Sequence, residues 1–204
     1  MIETKHDIDT QEIINLSGIH PLKVKNIYIY GSQIYGTNRP DSDYDVIMVA
    51  GNLLEHQEIK SEKYNIHIHT HDKFKRELLN HDIHNLECIF APDWAKLQEK
   101  ENYNFALNKD KLKKTLLSQS HNSWHKAKMK FLEGDAYNGN KSGFHALRIL
   151  MFGIQVAEYG KIINYSAAND LFYEIDNSNF YDWDQFKNKY LDYKKELENT
   201  FKLL

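Results

Sequence analysis

The stretch YGSQIYGTNRPDSDYDVIMV, residues 30–49, contains a Gly-Ser pair and, after ten further residues, two aspartates that flank one tyrosine. The apolar residues around it predict one strand that stops at Gly31 and a buried strand over residues 44–50. Alternate side chains of a strand share a face, so we expect Asp43 and Asp45 to point the same way. Because two bare carboxylates so close would repel each other, this spacing predicts a divalent cation between them.

The Gly-Ser pair predicts a phosphate site at the other end of the same loop. Gly31 permits a sharp turn and a close approach of the backbone to a ligand. Ser32 can donate a hydroxyl hydrogen bond, and a helix beginning there would direct its N–H groups toward a phosphate. Mg²⁺ prefers carboxylate oxygens, water and substrate phosphates as ligands. The whole stretch therefore predicts a site for a metal and a triphosphate.

Composition argues against a protein whose whole surface binds polyanions, a disulfide-linked protein and a membrane-spanning protein. The chain is 41% hydrophobic and 27% charged, as in a globular protein, and its net charge of -3 leaves room only for a local basic patch. The one cysteine, Cys88, lies in an apolar run, so we expect a buried thiol and no internal disulfide. No run approaches the roughly 18 apolar residues of a membrane helix. We expect a cytoplasmic protein that does not attach to a membrane.

Hydrophobic periodicity divides the chain into two halves. The first half mixes strands and helices; residues 63–71 alternate strictly and predict a strand, whereas the run 86–90 fits a strand or a helix. In the second half, three long helices are predicted, over 110–134, 141–160 and 182–204. We expect an α/β domain over 1–105 and a helical domain over 106–204.

The residues GSQIYGTNRPDSDYDV resemble the signature of the polymerase-β-like nucleotidyltransferases, and most closely that of predicted bacterial and phage members. The segment KSGFHALRILMFG in the second half resembles the same group more weakly. The resemblance implies an α/β fold, with a mixed sheet and helices followed by a C-terminal helical bundle. It also implies transfer of a nucleoside monophosphate from a nucleoside triphosphate, such as ATP, to a hydroxyl, with Mg²⁺ or Mn²⁺ as cofactor. The acceptor stays open between an RNA end, a protein side chain and a small molecule.

The resemblance also implies roles for single residues. Asp43 and Asp45 would hold the metals, while Gly31 and Ser32 would hold the phosphates. A third acid is expected on the strand over 63–71.

This sequence departs from the family at that third position. The family acid aligns best with Asn65, and His67 is the next choice. Asn65 could ligate a metal but could not accept a proton, so we assign the proton-accepting role to His67. Glu87 is a remote substitute. The departure keeps open a second interpretation, a degenerate nucleotidyltransferase that binds a nucleotide or a partner without turnover.

In the helical half, Lys141, His145 and Arg148 share one helix face, and the resemblance implies that this face closes over the triphosphate. Arg39 and Tyr35 in the loop are further candidates for substrate contacts.

Two other patterns allow a functional and a plain interpretation. The triplet HIHTH would suit zinc, but it is more typical of a solvated strand face. The lysines of KLKKTLL would suit a nucleic-acid acceptor, but such runs are usually solvated helix faces.

Overall fold

The computed structural model describes residues 8–51, 56–178 and 180–204. They form two compact units. The first comprises the described parts of Met1–Ile34, Asn38–Arg76 and Ala91–Asn104, and the second those of Tyr35–Thr37, Glu77–Phe90 and Phe105–Leu204. The expected division after residue 105 separates the chain differently, since residues 35–37 and 77–90 fold with the helices of the second unit.

A mixed sheet of five strands forms the first unit, in the spatial order β3-β4-β2-β1-β5. The strands are β1 (Val24–Tyr30), β2 (Tyr44–Ala50), β3 (Gln57–Lys60), β4 (Tyr64–Thr70) and β5 (Lys96–Glu99). β2 and β4 run parallel, and every other neighbouring pair is antiparallel. The predicted strands are confirmed as β1, β2 and β4, the three central strands, whose apolar residues are almost wholly buried.

Capping residues mark both ends of the first helix of this unit. In α1 (Thr10–Ser17) the Asp9 carboxylate accepts from the first backbone N–H groups, and Gly18 ends the helix in the left-handed conformation. α1 packs against β4. The predicted short helix after Gly31 is α2 (Ser32–Tyr35), a single turn, and α3 (His71–Leu79) follows β4 directly.

The second unit is helical. Its helices are α4 (Ile83–Ile89), α5 (Lys109–Leu132), α6 (Ala136–Tyr159), α7 (Asn169–Ser178) and α8 (Trp183–Leu203). The ambiguous run 86–90 therefore belongs to a helix. α5 is capped by Asn108, and α6 begins five residues earlier than its apolar pattern indicates, behind an Asp135 cap. Gly160 ends α6 in the left-handed conformation.

α6 lies at the centre of the second unit and packs against α5, α7 and α8. α6 and its neighbours supply a mainly aromatic core, with Phe131, Phe144, Phe186 and Tyr190 among its members. The Cys88 thiol on α4 is fully buried, which confirms the expectation from its apolar surroundings. Within the described ranges, the helices are too short or too polar to span a bilayer.

Candidate active site

Sheet register places Asp45 beside Asn65. The two residues are directly paired across the parallel strands β2 and β4, and Asn65 Nδ2 donates to Asp45 Oδ1 over 3.2 Å. Alternation along β4 puts His67 on the same face, where its Nε2 lies 3.2 Å from the same Asn65 nitrogen. An amide nitrogen only donates, so His67 Nε2 is the acceptor in this contact. The sheet thus brings together three predicted site residues.

Gly31 lies against the carboxylate of Asp45. It ends β1 with a φ of 76°, a conformation that side chains disfavour. A Cβ at this position would lie 2.5 Å from Asp45 Oδ2 and 3.2 Å from Asp45 Cβ. The glycine therefore makes room for a carboxylate of its own chain. This contact joins the two ends of the loop between β1 and β2.

Asp43 lies one residue before β2, so it is not on the strand with Asp45. It is exposed, and its backbone carbonyl accepts from Gln33 Nε2 over 3.4 Å. Just before it, a tight turn is closed by a hydrogen bond of 2.8 Å from the Arg39 N–H to the Ser42 hydroxyl. Arg39 itself is exposed on this turn. The loop thus holds Asp43 at the entrance of the strand.

The His67 ring has two aromatic neighbours. The His56 ring stacks on it at 6.0 Å with an interplanar angle of 6°, and the Tyr30 ring meets it edge-on at 6.2 Å. His56 also contacts His69, at 5.0 Å. Within residues 8–51, 56–178 and 180–204, no three His, Cys, Asp or Glu side chains are grouped to hold a metal ion. The zinc interpretation of HIHTH therefore has no support.

A hard cation such as Mg²⁺ fits the donors around Asp45. Asn65 Oδ1 is buried and accepts no hydrogen bond from the described residues. A buried carbonyl oxygen without a donor is costly, and cation ligation would remove that cost. Asp43, Asp45 and Asn65 offer only carboxylate and amide oxygens, the ligand types that Mg²⁺ takes.

A separate polar cluster lies inside the second unit, around Arg148. Its Nη2 lies 3.4 Å from Glu87 Oε1 and 2.8 Å from His145 Nδ1, and its guanidinium carbon lies 3.8 Å from the centre of the Tyr35 ring. The Tyr35 hydroxyl donates to the other Glu87 oxygen over 2.6 Å. Glu87 is fully buried and Arg148 nearly so. Both oxygens of Glu87 are thus engaged within this unit.

The protonation states in this cluster follow from burial. Burial, and then the negative charge of Glu87, raise the pKa of Tyr35 well above its ordinary value, although Arg148 opposes them. Close packing around the ring, and then the positive charge of Arg148, hold the pKa of His145 well below its ordinary value. At neutral pH Tyr35 is therefore a donor, and His145 is an uncharged acceptor for Arg148.

The remaining predicted residues divide between the units. Ser32 begins α2 and is partly exposed in the first unit. Lys141, His145 and Arg148 belong to the second unit, where Lys141 is exposed, and their predicted contact with a triphosphate stays a prediction. The contacts of His56 could not be predicted, because nothing in the sequence around it indicates that it lies beside the histidines of β4.

Comparison with known proteins gives one family and two solved structures. The family model described as nucleotidyltransferase domain matches residues 16–117, which is half of the chain. The spectinomycin adenyltransferase AAD(9) from Enterococcus faecialis, solved with ATP and spectinomycin, shares 13% identity with a TM-score of 0.50, over 95% of this chain and 100% of that one. A nucleotidyltransferase-like protein from Exiguobacterium sibiricum 255-15 also shares 13% identity, over 95% of this chain and 73% of that one, with a TM-score of 0.33. No curated protein matches the sequence.

Proposed function

Because the chain belongs to the nucleotidyltransferase domain family, a family of transferase enzymes, we propose that it moves a nucleoside monophosphate from a nucleoside triphosphate to a hydroxyl, with Mg²⁺ or Mn²⁺ bound. The contact between Gly31 and Asp45 is the observation that carries this proposal. It supports the proposal because Gly31 precedes the expected phosphate site and Asp45 is expected to hold the metal.

Each residue of the first unit has a separate task in this proposal. The Ser32 hydroxyl and the backbone after Gly31 bind the phosphates of the nucleotide. Asp43, Asp45 and Asn65 would hold the cation, which would neutralise phosphate charge when bound. Such positioning and charge stabilisation account for most catalysis of phosphoryl transfer.

His67 takes the proton of the acceptor. The acceptor oxygen forms a bond to the α-phosphorus, the bond from that phosphorus to the bridging oxygen breaks, and pyrophosphate leaves. The hydroxyl proton moves to the His67 imidazole, a side chain that can accept a proton near neutral pH. Asn65 cannot replace it, because an amide has no useful basicity at neutral pH.

Replacement of the carboxylates tests the metal site. We expect Asp45→Asn and Asp43→Asn to abolish transfer of a labelled nucleoside monophosphate and to weaken binding of the metal–nucleotide complex, while circular dichroism stays unchanged. The assay offers all four ribonucleoside triphosphates with Mg²⁺ or Mn²⁺ to RNA, to the protein itself and to small hydroxyl compounds. Asp41→Asn is the matched control, since Asp41 is an exposed aspartate of the same loop. If both site variants bind the complex as the wild type does, the metal assignment is wrong.

Three alanine variants of β4 test the base. We expect His67→Ala to lower turnover by about a hundredfold or more, the usual contribution of a general base, with nucleotide affinity nearly unchanged. His69→Ala, two residues along the strand, should matter less. Asn65→Ala should weaken the binding of the metal–nucleotide complex. Turnover at the wild-type rate in His67→Ala would show that the proton goes elsewhere.

A degenerate binding module is the second candidate, and the amide of Asn65 in place of a carboxylate favours it. In that case the wild type binds a metal–nucleotide complex, but no acceptor receives a nucleotide with either metal. The same binding and transfer measurements on the wild type therefore decide between the two functions.

A further inference from the structure

α5 is strongly basic in a chain whose net charge is -3. It carries seven lysines and one carboxylate, Asp110. α7, in the same unit, carries three carboxylates and no lysine or arginine. Charge is therefore segregated between helices of this unit, and α5 provides the local basic surface that the net charge alone would hide.

Five cationic or titratable side chains of α5 form one exposed row, the basic stripe: Lys111, Lys114, His121, His125 and Lys128. Their spacings of three, seven, four and three residues keep them on one face of the helix. At the helical rise the row is about 26 Å long. Within the part of the chain that the structure describes, its three lysines form no salt bridge. Only His121 of the stripe has a carboxylate partner, Glu198, so the charges of the three lysines are not neutralised by an ion pair within the described residues.

A cleft of about 320 Å³ between α5 and α8 adjoins the stripe, and His121, His125 and Lys128 line both. Trp124 and Trp183 also line it, with their rings edge to face at 5.3 Å and each partly exposed. The cleft is shallow and offers aromatic surface beside positive charge.

Two charged contacts line one side of the cleft. Lys194 is nearly buried, is paired with Glu198, and has its ammonium 5.6 Å from the centre of the Trp124 ring. Glu198 also accepts from His121 over 2.9 Å. These contacts neutralise the only carboxylate among the cleft residues. A ligand entering the cleft would therefore meet aromatic rings and cations.

We propose that the basic stripe and the tryptophan cleft bind single-stranded nucleic acid, with the phosphates along the stripe and a base in the cleft. A positive track beside aromatic rings is what single-strand binding uses, since every base can stack and every nucleotide carries a phosphate. An acidic protein partner would use the cations of the stripe but would have no use for the aromatic rings of the cleft. The inference does not depend on the proposed transfer reaction, because no residue of the nucleotide site takes part.

Fluorescence anisotropy of the full-length protein tests this binding. The probes are labelled single strands of oligo(U) and oligo(dT), about 20 nucleotides long so that they exceed a typical site of about 4–16, with polyglutamate as the competing polyanion. We expect Lys114→Glu combined with Lys128→Glu to lower affinity for both strands about tenfold or more, and to reduce the slope of log affinity against log salt by about 1 to 1.5. Lys161→Glu combined with Lys189→Glu is the control of equal charge change. Asp45→Asn should bind both strands as the wild type does.

Tryptophan fluorescence tests the cleft separately. In a Trp94→Phe background only Trp124 and Trp183 emit, and bound oligonucleotide should quench them by base stacking. Equal loss of affinity in the two double variants would overturn the proposal, as would binding without quenching. Tighter binding of polyglutamate than of either strand would assign the stripe to an acidic protein partner and would overturn it too.

Discussion

Gly31 lacks a side chain where the carboxylate of Asp45 occupies the space. Any side chain here meets two obstacles, an overlap with Asp45 and a φ of 76°. The backbone term alone costs about 1–2 kcal/mol for a residue other than glycine. The overlap would also displace the Asp45 carboxylate, which we assign to the metal.

We therefore predict that Gly31→Ala lowers the free energy of unfolding by more than about 1–2 kcal/mol and also weakens nucleotide binding. Gly18→Ala is the matched control, since Gly18 has a φ of 65° but no atom within 4 Å of an added Cβ. Urea denaturation and nucleotide titration of both variants check this. Equal destabilisation of the two, with nucleotide affinity kept in Gly31→Ala, would contradict the role of the close contact.

His145 should make the protein less stable in acid. Its native pKa lies well below the ordinary value of 6.5, because of its packing and the nearby Arg148 and His84. Below that ordinary value the unfolded chain takes up a proton that the native state resists, so stability is full above about pH 6.5 and falls as the pH decreases. His145→Asn keeps an acceptor for Arg148 but does not titrate. We predict that the melting temperature falls more steeply with decreasing pH in the wild type than in this variant; parallel curves would refute it.

At the scale of single elements, α6 is shaped to receive aromatic rings. A Cβ on Gly143 would overlap the Phe186 ring of α8, and one on Gly153 would lie 2.8 Å from the Phe201 ring. These glycines lower the intrinsic helix propensity by about 1 kcal/mol each relative to alanine. In return, the two glycines permit the aromatic rings to pack closely on the helix backbone.

Gly143→Ala should therefore destabilise the protein, although alanine is the better helix former. We expect a net loss of about 1–3 kcal/mol, because an overpacked core strains its neighbours. Asn122→Ala on the exposed face of α5 is the control, and it should gain a few tenths of a kcal/mol from propensity alone. Urea midpoints at an unchanged m-value measure both changes. A stabilised Gly143→Ala would mean that the Phe186 ring moves aside freely.

At the scale of the whole molecule, periodicity predicts the long or strongly apolar elements well. β1, β2, β4 and the three long helices follow from their apolar patterns, whereas β3, β5 and α7 are short or polar and give too weak a signal. For α5, Asn108 and Asp110 are both good caps two residues apart, and the sequence does not rank them.

The candidate site could be predicted only in part, because its contacts depend on which strands and helices become neighbours. The motif indicates Gly31 and Asp45, and the resemblance indicates Asn65. Their contacts need the β1–β2 and β2–β4 pairings, which no local pattern specifies. The hydrogen bond between Tyr35 and Glu87 joins residues 52 apart in the chain and is likewise invisible to periodicity.

Chemical labelling of Cys88 can report whether the second unit of a chain has opened. The chain has one thiol, which is fully buried in the second unit, and burial raises its pKa well above the ordinary value. A thiol reagent therefore reacts with a chain only after that unit has opened around α4. Each chain has one thiol, so the moles of label bound by a stored batch equal the moles of chains that have opened. The measurement needs neither a dye nor an engineered tag.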